Sequence, residues 1–221
     1  MTDIIQIAHR GDSKYNKDNT IESFISALNK NYDMIELDIQ LCKSGEIIVF
    51  HDLDINDNMI NELDFDQILE IEKDIITLEE FFKIPGMKDS KIYIDLKGSL
   101  SIANEIVDFI NEENLNKDNI IIGSFNLKHL DLINILDNEI KLGFITENNL
   151  NDFMYCKLSQ LNYLHFICIH WTMLDHESLK LIKLLGHKIF CYTCKNDTIL
   201  LKMLEYDLNG IVTNYKIDEC L

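Results

Sequence analysis

Proline is almost missing from this 221-residue chain, which has one, and glycine is sparse at eight. No low-complexity stretch or linker breaks the sequence, so one domain spanning residues 1–221 is expected. No G-x-G-x-x-G turn follows an apolar run, which counts against an open doubly wound sheet. Positive charge is scarce as well. The 20 Lys and Arg residues face 38 Asp and Glu, for a net charge of −18. Without a basic stripe, nucleic acid is not expected as a partner, and docking on anionic membrane through a polybasic patch is not expected either. The acidity reads as a solvated, repulsive surface. No apolar run approaches the ~20 residues of a membrane-spanning helix, so no stable membrane anchor is expected. The opening MTDIIQIAHR lacks the charged and apolar regions of a signal peptide. The expected location is therefore cytoplasmic, with Cys42, Cys156, Cys168, Cys191, Cys194 and Cys220 as reduced thiols. Cys191-x-x-Cys194 has no second cysteine pair to complete a zinc site and falls in a strand-like segment. Two small buried hydrophobes is the better reading.

What the chain does have is apolar residues, 47% of the total, enough for a buried core. Three short β-branched runs near the start each end in ionisable residues. They are Ile5–Ser13 (IQIAHRGDS), Met34–Leu41 (MIELDIQL) and Glu46–Asp52 (EIIVFHD). His9 and Arg10 close the first run, Glu36 and Asp38 lie in the second, and His51 and Asp52 close the third. The gap between the second and third is too short for a parallel crossover. Ile39 to Val49 is therefore an antiparallel hairpin turning near Lys43-Ser44, a register that sets Glu36 across from His51.

Downstream, strand and helix patterns alternate. Strands are expected from Ile4, Met34, Lys91, Asn119, Ile140, His165, Lys188 and Gly210. Helices are expected over Thr20–Asn31, Asn61–Ile71, Thr77–Phe82, Ser101–Asn114, Leu127–Leu136, Asn149–Leu158, Asp175–Leu185 and Asp197–Tyr206. Eight parallel-type strands, mostly one helix apart, predict an α/β fold, a (β/α)8 TIM barrel with a β-hairpin at its C-terminal mouth after strand 2.

On a barrel the strand C-termini share one face, so His9, Arg10, Glu36, Asp38, His51, Asp95 and Lys97 are expected to converge. Taken singly, each has an ordinary explanation, such as a solvated Glu-x-Asp, a surface histidine or an interior Asp95–Lys97 ion pair. Together at strand ends they suggest a site. Three close carboxylates call for a cation, and a hard divalent ion, Mg²⁺ or Ca²⁺, takes oxygen ligands. Two histidines suit general acid–base chemistry, and Arg10 and Lys97 suit a phosphate. The residues thus point to metal-assisted cleavage of a phosphate ester.

The run A-H-R-G, then D-N-T-I-E-S-F, then I-E-L-D-I-Q-L-x-K-S-G-E-I-I-V-F-H-D resembles the signature of the glycerophosphodiester phosphodiesterases. I-D-L-K at Ile94–Lys97, G-S-F at Gly123–Phe125, Y-T at Tyr192-Thr193 and G-I-V-T-N at Gly210–Asn214 extend the likeness over almost the whole chain. The resemblance implies a divalent-cation-dependent barrel enzyme that hydrolyses small glycerophosphodiesters to glycerol 3-phosphate and an alcohol, through a cyclic phosphate. It implies His9 and His51 as the acid/base pair, Glu36, Asp38 and Asp95 as metal ligands, and Arg10 and Lys97 on the phosphoryl oxygens. Phe125 and Tyr192, within matched motifs, are candidates for substrate contact. Trp171, near another strand end, either lines the mouth or packs.

Four positions depart from the family pattern. Asp18 replaces a glutamate and Asp57 falls where an arginine is usual. Asp95 shortens the third carboxylate by about one C–C bond, ~1.5 Å, and Lys195 ends the family's W-T-V-N motif. Asp at the third position is shared with enzymes of the sphingomyelinase D type. A lipid phosphodiesterase of the sphingomyelinase D or lysophospholipase D kind is therefore one alternative, and a non-catalytic phosphate-binding barrel is another.

Overall fold

The apolar runs pair edge to edge until they close on themselves. In the computed structural model, which describes residues 4–148 and 150–220, eight parallel strands form a barrel. They are β1 (Ile5–Ala8), β2 (Met34–Leu41), β3 (Ile92–Leu96), β4 (Ile120–Ser124), β5 (Lys141–Thr146), β6 (Leu164–His170), β7 (Lys188–Cys194) and β8 (Gly210–Thr213). Neighbours in this order are hydrogen-bonded, and β1 bonds both β2 and β8, which closes the ring. The expected (β/α)8 fold is present.

Helix α1 (Ile21–Asn29) follows β1. Helices α4 (Ile102–Glu112), α5 (Leu127–Leu136), α6 (Asp152–Leu158), α7 (His176–Leu184) and α8 (Asp197–Met203) follow β3 to β7, while α2 (Phe65–Ile71) and α3 (Leu78–Lys83) lie in the excursion between β2 and β3. The helix expected from Asn149 begins at Asp152; Asn149 itself lies outside the described residues. Two apolar layers result. Ile7, Met34, Tyr93, Ile121, Ile145, Phe166, Phe190 and Val212 fill the barrel's interior. A larger isoleucine- and leucine-rich layer seals the barrel against its helices, with Phe24 and Ala27 of α1 fully buried. Each such large side chain withdrawn from water contributes about 1.5–3 kcal/mol.

The hairpin after β2 exists, in a different register from the expected one. Leu41 faces Ile47 and Ile39 faces Val49, and the ladder stops there, so Glu36 is not opposite His51. The turn is longer than a tight one centred on Lys43-Ser44. Cys42 N–H donates to the Glu46 carbonyl at 3.1 Å, and Gly45 adopts φ +101°, a conformation that favours glycine. This shifts the pairing by one residue. The return arm is extended by Ile76–Thr77, which pairs with Ile48 and Val49.

The helix expected over Asn61–Ile71 is divided. Ile60–Glu62 is a 3₁₀ turn, and α2 starts afresh at Phe65, with Gln67 Oε1 accepting from the Asp64 N–H at 2.9 Å. Beneath this excursion Cys42, Ile48, Ile55, Ile60, Ile68 and Ile75 form their own small apolar cluster.

Candidate active site

The A-H-R-G stretch turns sharply at the end of β1. His9 N–H still bonds across to the Thr213 carbonyl at 3.1 Å. Arg10 then takes φ +54°, unusual for a residue with a side chain. That turn aims its backbone N–H at Glu36 Oε2, 2.8 Å away. Gly11 follows at φ +79°, and a Cβ there would stand 2.4 Å from Ser23 Oγ, so the chain can pass the start of α1 only with glycine. Asn19, also left-handed at φ +57°, donates its N–H to the Arg10 carbonyl at 3.0 Å and its Nδ2–H to Asp38 Oδ2 at 2.9 Å. Thr20 then caps α1. The D-N-T piece of the motif thus locks the β1 loop to a carboxylate of β2.

Glu36 and Asp38 alternate on the inner face of β2, and Asp95 stands beside Asp38 on β3, in register with it. Their carboxylate oxygens lie within 4.8 Å of one another. Two cations flank them. Lys97 Nζ lies 2.6 Å from Asp95 Oδ2 and 3.1 Å from Asp38 Oδ1, and Arg10 Nε lies 2.9 Å from Asp38 Oδ2. Asp18, the shortened acid, still reaches Arg10 Nη1 at 2.8 Å.

A cavity at this end of the barrel is lined by His9, Arg10, Glu36, Asp38, His51, Asp95, Lys97, Phe125 and Tyr192. Nine of the ten residues singled out from sequence therefore share one cavity. Trp171 does not line it. It sits in a 3₁₀ turn after β6, half-buried against the outer core and beside His170. Phe125 and Tyr192 meet edge to face at 5.9 Å, and Lys97 Nζ lies 5.2 Å from the Phe125 ring centre.

Burial and charge divide the ionisable groups. Asp38 is driven up by burial, yet Lys97 and then Arg10 more than offset this and hold it at about 2. Asp95 is raised to about 6, mainly by burial, against the opposing pull of Lys97. Burial, and next the Asp38 charge, raise Glu36 well above the usual carboxylate range. Once all three carboxylates are ionised, as ion binding requires, they exceed the two fixed cations by one negative charge. Asp95 Oδ1 is buried without a hydrogen-bond partner. An all-oxygen cluster with an orphaned oxygen and surplus negative charge fits a hard divalent cation. With such an ion the cluster would carry one net positive charge, which matches the single negative charge of a phosphodiester.

The histidines have different partners. His9 Nδ1 lies 2.8 Å from Asn214 Oδ1, so Nδ1 carries the proton and Nε2 keeps a lone pair. Burial, and next the charge of Arg10, lower His9 to about 4. His51 Nδ1 lies 2.7 Å from Asp52 Oδ1, which leaves Nε2 as its free ring nitrogen. The loop bearing His51 hangs from Gln40, whose Nε2 donates to the carbonyls of Phe50 (2.9 Å) and Asp52 (2.7 Å). Asn214, Gln40 and Asn19 are absent from the candidate site residues read from sequence. Asn214 had a usable signal, as it ends the β8 motif at the same mouth; Gln40, inside an apolar strand, had none.

Comparison with known proteins agrees with this geometry. Residues 9–217 match the Glycerophosphoryl diester phosphodiesterase family. The chain is 28% identical to a glycerophosphodiester phosphodiesterase of Caldanaerobacter subterraneus, over 94% of this chain and 93% of that protein. In fold it is similar to the glycerophosphodiester phosphodiesterase of Thermotoga maritima, with TM-score 0.80, 22% identity, and coverage of 96% and 94% of the two chains. An Oleispira antarctica phosphodiesterase, solved with the product sn-glycerol-3-phosphate, gives TM-score 0.83 at 22% identity, covering 97% of this chain and 95% of that one. A match running from His9 to Ile217 takes in every carboxylate and histidine that lines the cavity, and the chain belongs to the glycerophosphoryl diester phosphodiesterase family.

Proposed function

We propose that this chain acts as one domain, 1–221, that hydrolyses a glycerophosphodiester to sn-glycerol 3-phosphate and an alcohol. The observation that carries this reading is the three-carboxylate cluster flanked by two histidines with free Nε2 atoms. Glu36, Asp38 and Asp95 would hold Mg²⁺ or Ca²⁺, which when bound supplies positive charge to the phosphoryl oxygens. Arg10 and Lys97 bind and orient the phosphodiester from either side. His9, neutral at working pH, accepts the proton of the glyceryl 2-hydroxyl at Nε2. The 2-oxygen then bonds to phosphorus, and the bond from phosphorus to the alcohol oxygen breaks. His51 donates the proton to that leaving oxygen from Nε2. The cyclic phosphate is opened in reverse, with His51 taking a proton from water and His9 returning one to the 2-oxygen. Phe125 and Tyr192 wall the cavity and limit water. Trp171 lies further out and is a candidate contact only for a bulky alcohol.

The ordinary working compartment in this reading is the cytoplasm. Six free cysteines suit a reducing environment, and among the described residues no helix is long and apolar enough to cross a membrane. The test is glycerol 3-phosphate release from glycerophosphocholine, glycerophosphoethanolamine, glycerophosphoglycerol and a lysolipid. Release should stop with EDTA and return with Mg²⁺ or Ca²⁺. Turnover confined to the lysolipid would favour a lipid phosphodiesterase instead. Binding without turnover would leave a phosphate-binding barrel.

A further inference from the structure

Beneath the carboxylates the barrel is apolar, and one residue there carries a hydroxyl with only a thiol for a neighbour. Tyr93 precedes Asp95 by two residues on β3 and so points to the same inner side. It is 2% exposed, and its ring packs edge to face on Phe166 at 5.4 Å. Its phenol oxygen has no oxygen or nitrogen partner, although Tyr93 lines the same cavity as Asp95 and His9. The Cys168 thiol beside it is only a weak hydrogen-bonding group. Space for the hydroxyl is kept by Gly123, where a Cβ would stand 2.6 Å from the Tyr93 oxygen. Phenylalanine would fill the ring's place equally well, as Phe166 and Phe190 do in the same layer. Packing therefore does not account for a buried hydroxyl with no partner better than a thiol, which ordinarily destabilises a protein.

We propose that Tyr93 hydrogen-bonds the primary hydroxyl of the glyceryl group and so selects a polyol at the floor of the cavity. The inference rests on the phosphodiesterase reading of the site. Arg10 and Lys97 fix the phosphate and His9 fixes the secondary hydroxyl. The remaining carbinol is then directed to the floor, where Tyr93 offers its buried hydroxyl. The phenol oxygen of Tyr192, also unpartnered, stands on the wall of the same cavity.

The test compares kcat/KM for glycerophosphocholine and for 2-hydroxypropyl phosphocholine, which keeps the secondary hydroxyl and lacks the primary one. Wild type should prefer the glyceryl substrate by roughly 10-fold or more. Tyr93→Phe should bring the ratio close to one, mainly by loss on the glyceryl substrate, with a thermal midpoint unchanged or raised. A wild-type enzyme indifferent to the primary hydroxyl overturns the proposal whatever the variant does. An unchanged ratio in Tyr93→Phe, with or without a lower midpoint, also overturns it and makes the hydroxyl structural. Turnover of both diesters with no preference would leave the phosphodiesterase reading standing. Turnover of neither would end both.

Discussion

His9 and His51 line one cavity from opposite kinds of support. His9 grows out of a barrel strand, is buried, and is tied through its backbone to Thr213 of β8 and through its ring to Asn214, the residue after it. Asn214 is in turn anchored by its N–H on the Cys194 carbonyl at 3.1 Å. His51 lies past the end of a three-residue hairpin arm, half-exposed, and is held by Gln40 and by its chain neighbour Asp52. In the proposed mechanism His9 is a base that must stay neutral, and burial, which lowers it to about 4, serves that role. An acid that must meet alcohols of different shapes gains from a solvent-facing loop. The difference suggests a division of labour in which the barrel fixes the glyceryl half of the substrate and the hairpin side receives the leaving half.

The largest effect should come from the histidines themselves. His9→Ala and His51→Ala should each lower kcat/KM on glycerophosphocholine by about 10²–10⁴. Replacing choline with 4-nitrophenol separates them, because that leaving group departs without a proton. His51→Ala should recover most of its rate on the nitrophenyl diester and His9→Ala should not; equal recovery would erase the asymmetry. Next is Asp38→Asn, which acts on both sides at once. It leaves Arg10 and Lys97 without the buried charge they share, so denaturant unfolding should report a loss of about 3–5 kcal/mol.

Smaller effects test the two supports. Asn214→Ala frees the His9 ring, and Gln40→Ala frees the carbonyls at Phe50 and Asp52. Each should cost roughly 10-fold in kcat/KM, and only Gln40→Ala should expose the His51 loop to proteolysis. The smallest effect is one of pH. Asp95 stands at about 6, above its ordinary 3.8. Its stabilising contribution is therefore complete below the unfolded value and lost as pH rises through 6. A divalent cation competes with that proton, so the rise in thermal midpoint on adding Mg²⁺ or Ca²⁺ should be larger near pH 7.5 than near pH 5. An equal rise at both would place the ion elsewhere.

Much of this was legible from residue order. Parallel strands bury both faces, so each barrel strand was written as an apolar run, and its end was marked by the ionisable residues that follow. That rule marks His9 after β1, and the two-residue period puts Glu36 and Asp38 on one face of β2. It did less well between β2 and β3. There the register of the hairpin depended on whether its turn held two residues or three, and Gly45 with its positive φ takes the third place. The supporting contacts were hidden for another reason. Gln40 and Asn214 act through side chains that reach across the fold, and neither hydrophobic period nor local spacing encodes such a reach. For Trp171 the strand end left lining the mouth and packing equally open, and the 3₁₀ turn after β6 places it against the outer core.

The most direct test titrates a divalent cation into ion-free protein by calorimetry, in wild type and in Asp95→Asn and Glu36→Gln, and assays glycerol 3-phosphate release on the same samples. One ion per chain, bound in step with the appearance of activity and weakened together with it in both variants, is the expected result. Full activity in ion-free wild type, or binding left unchanged by both substitutions, would contradict it.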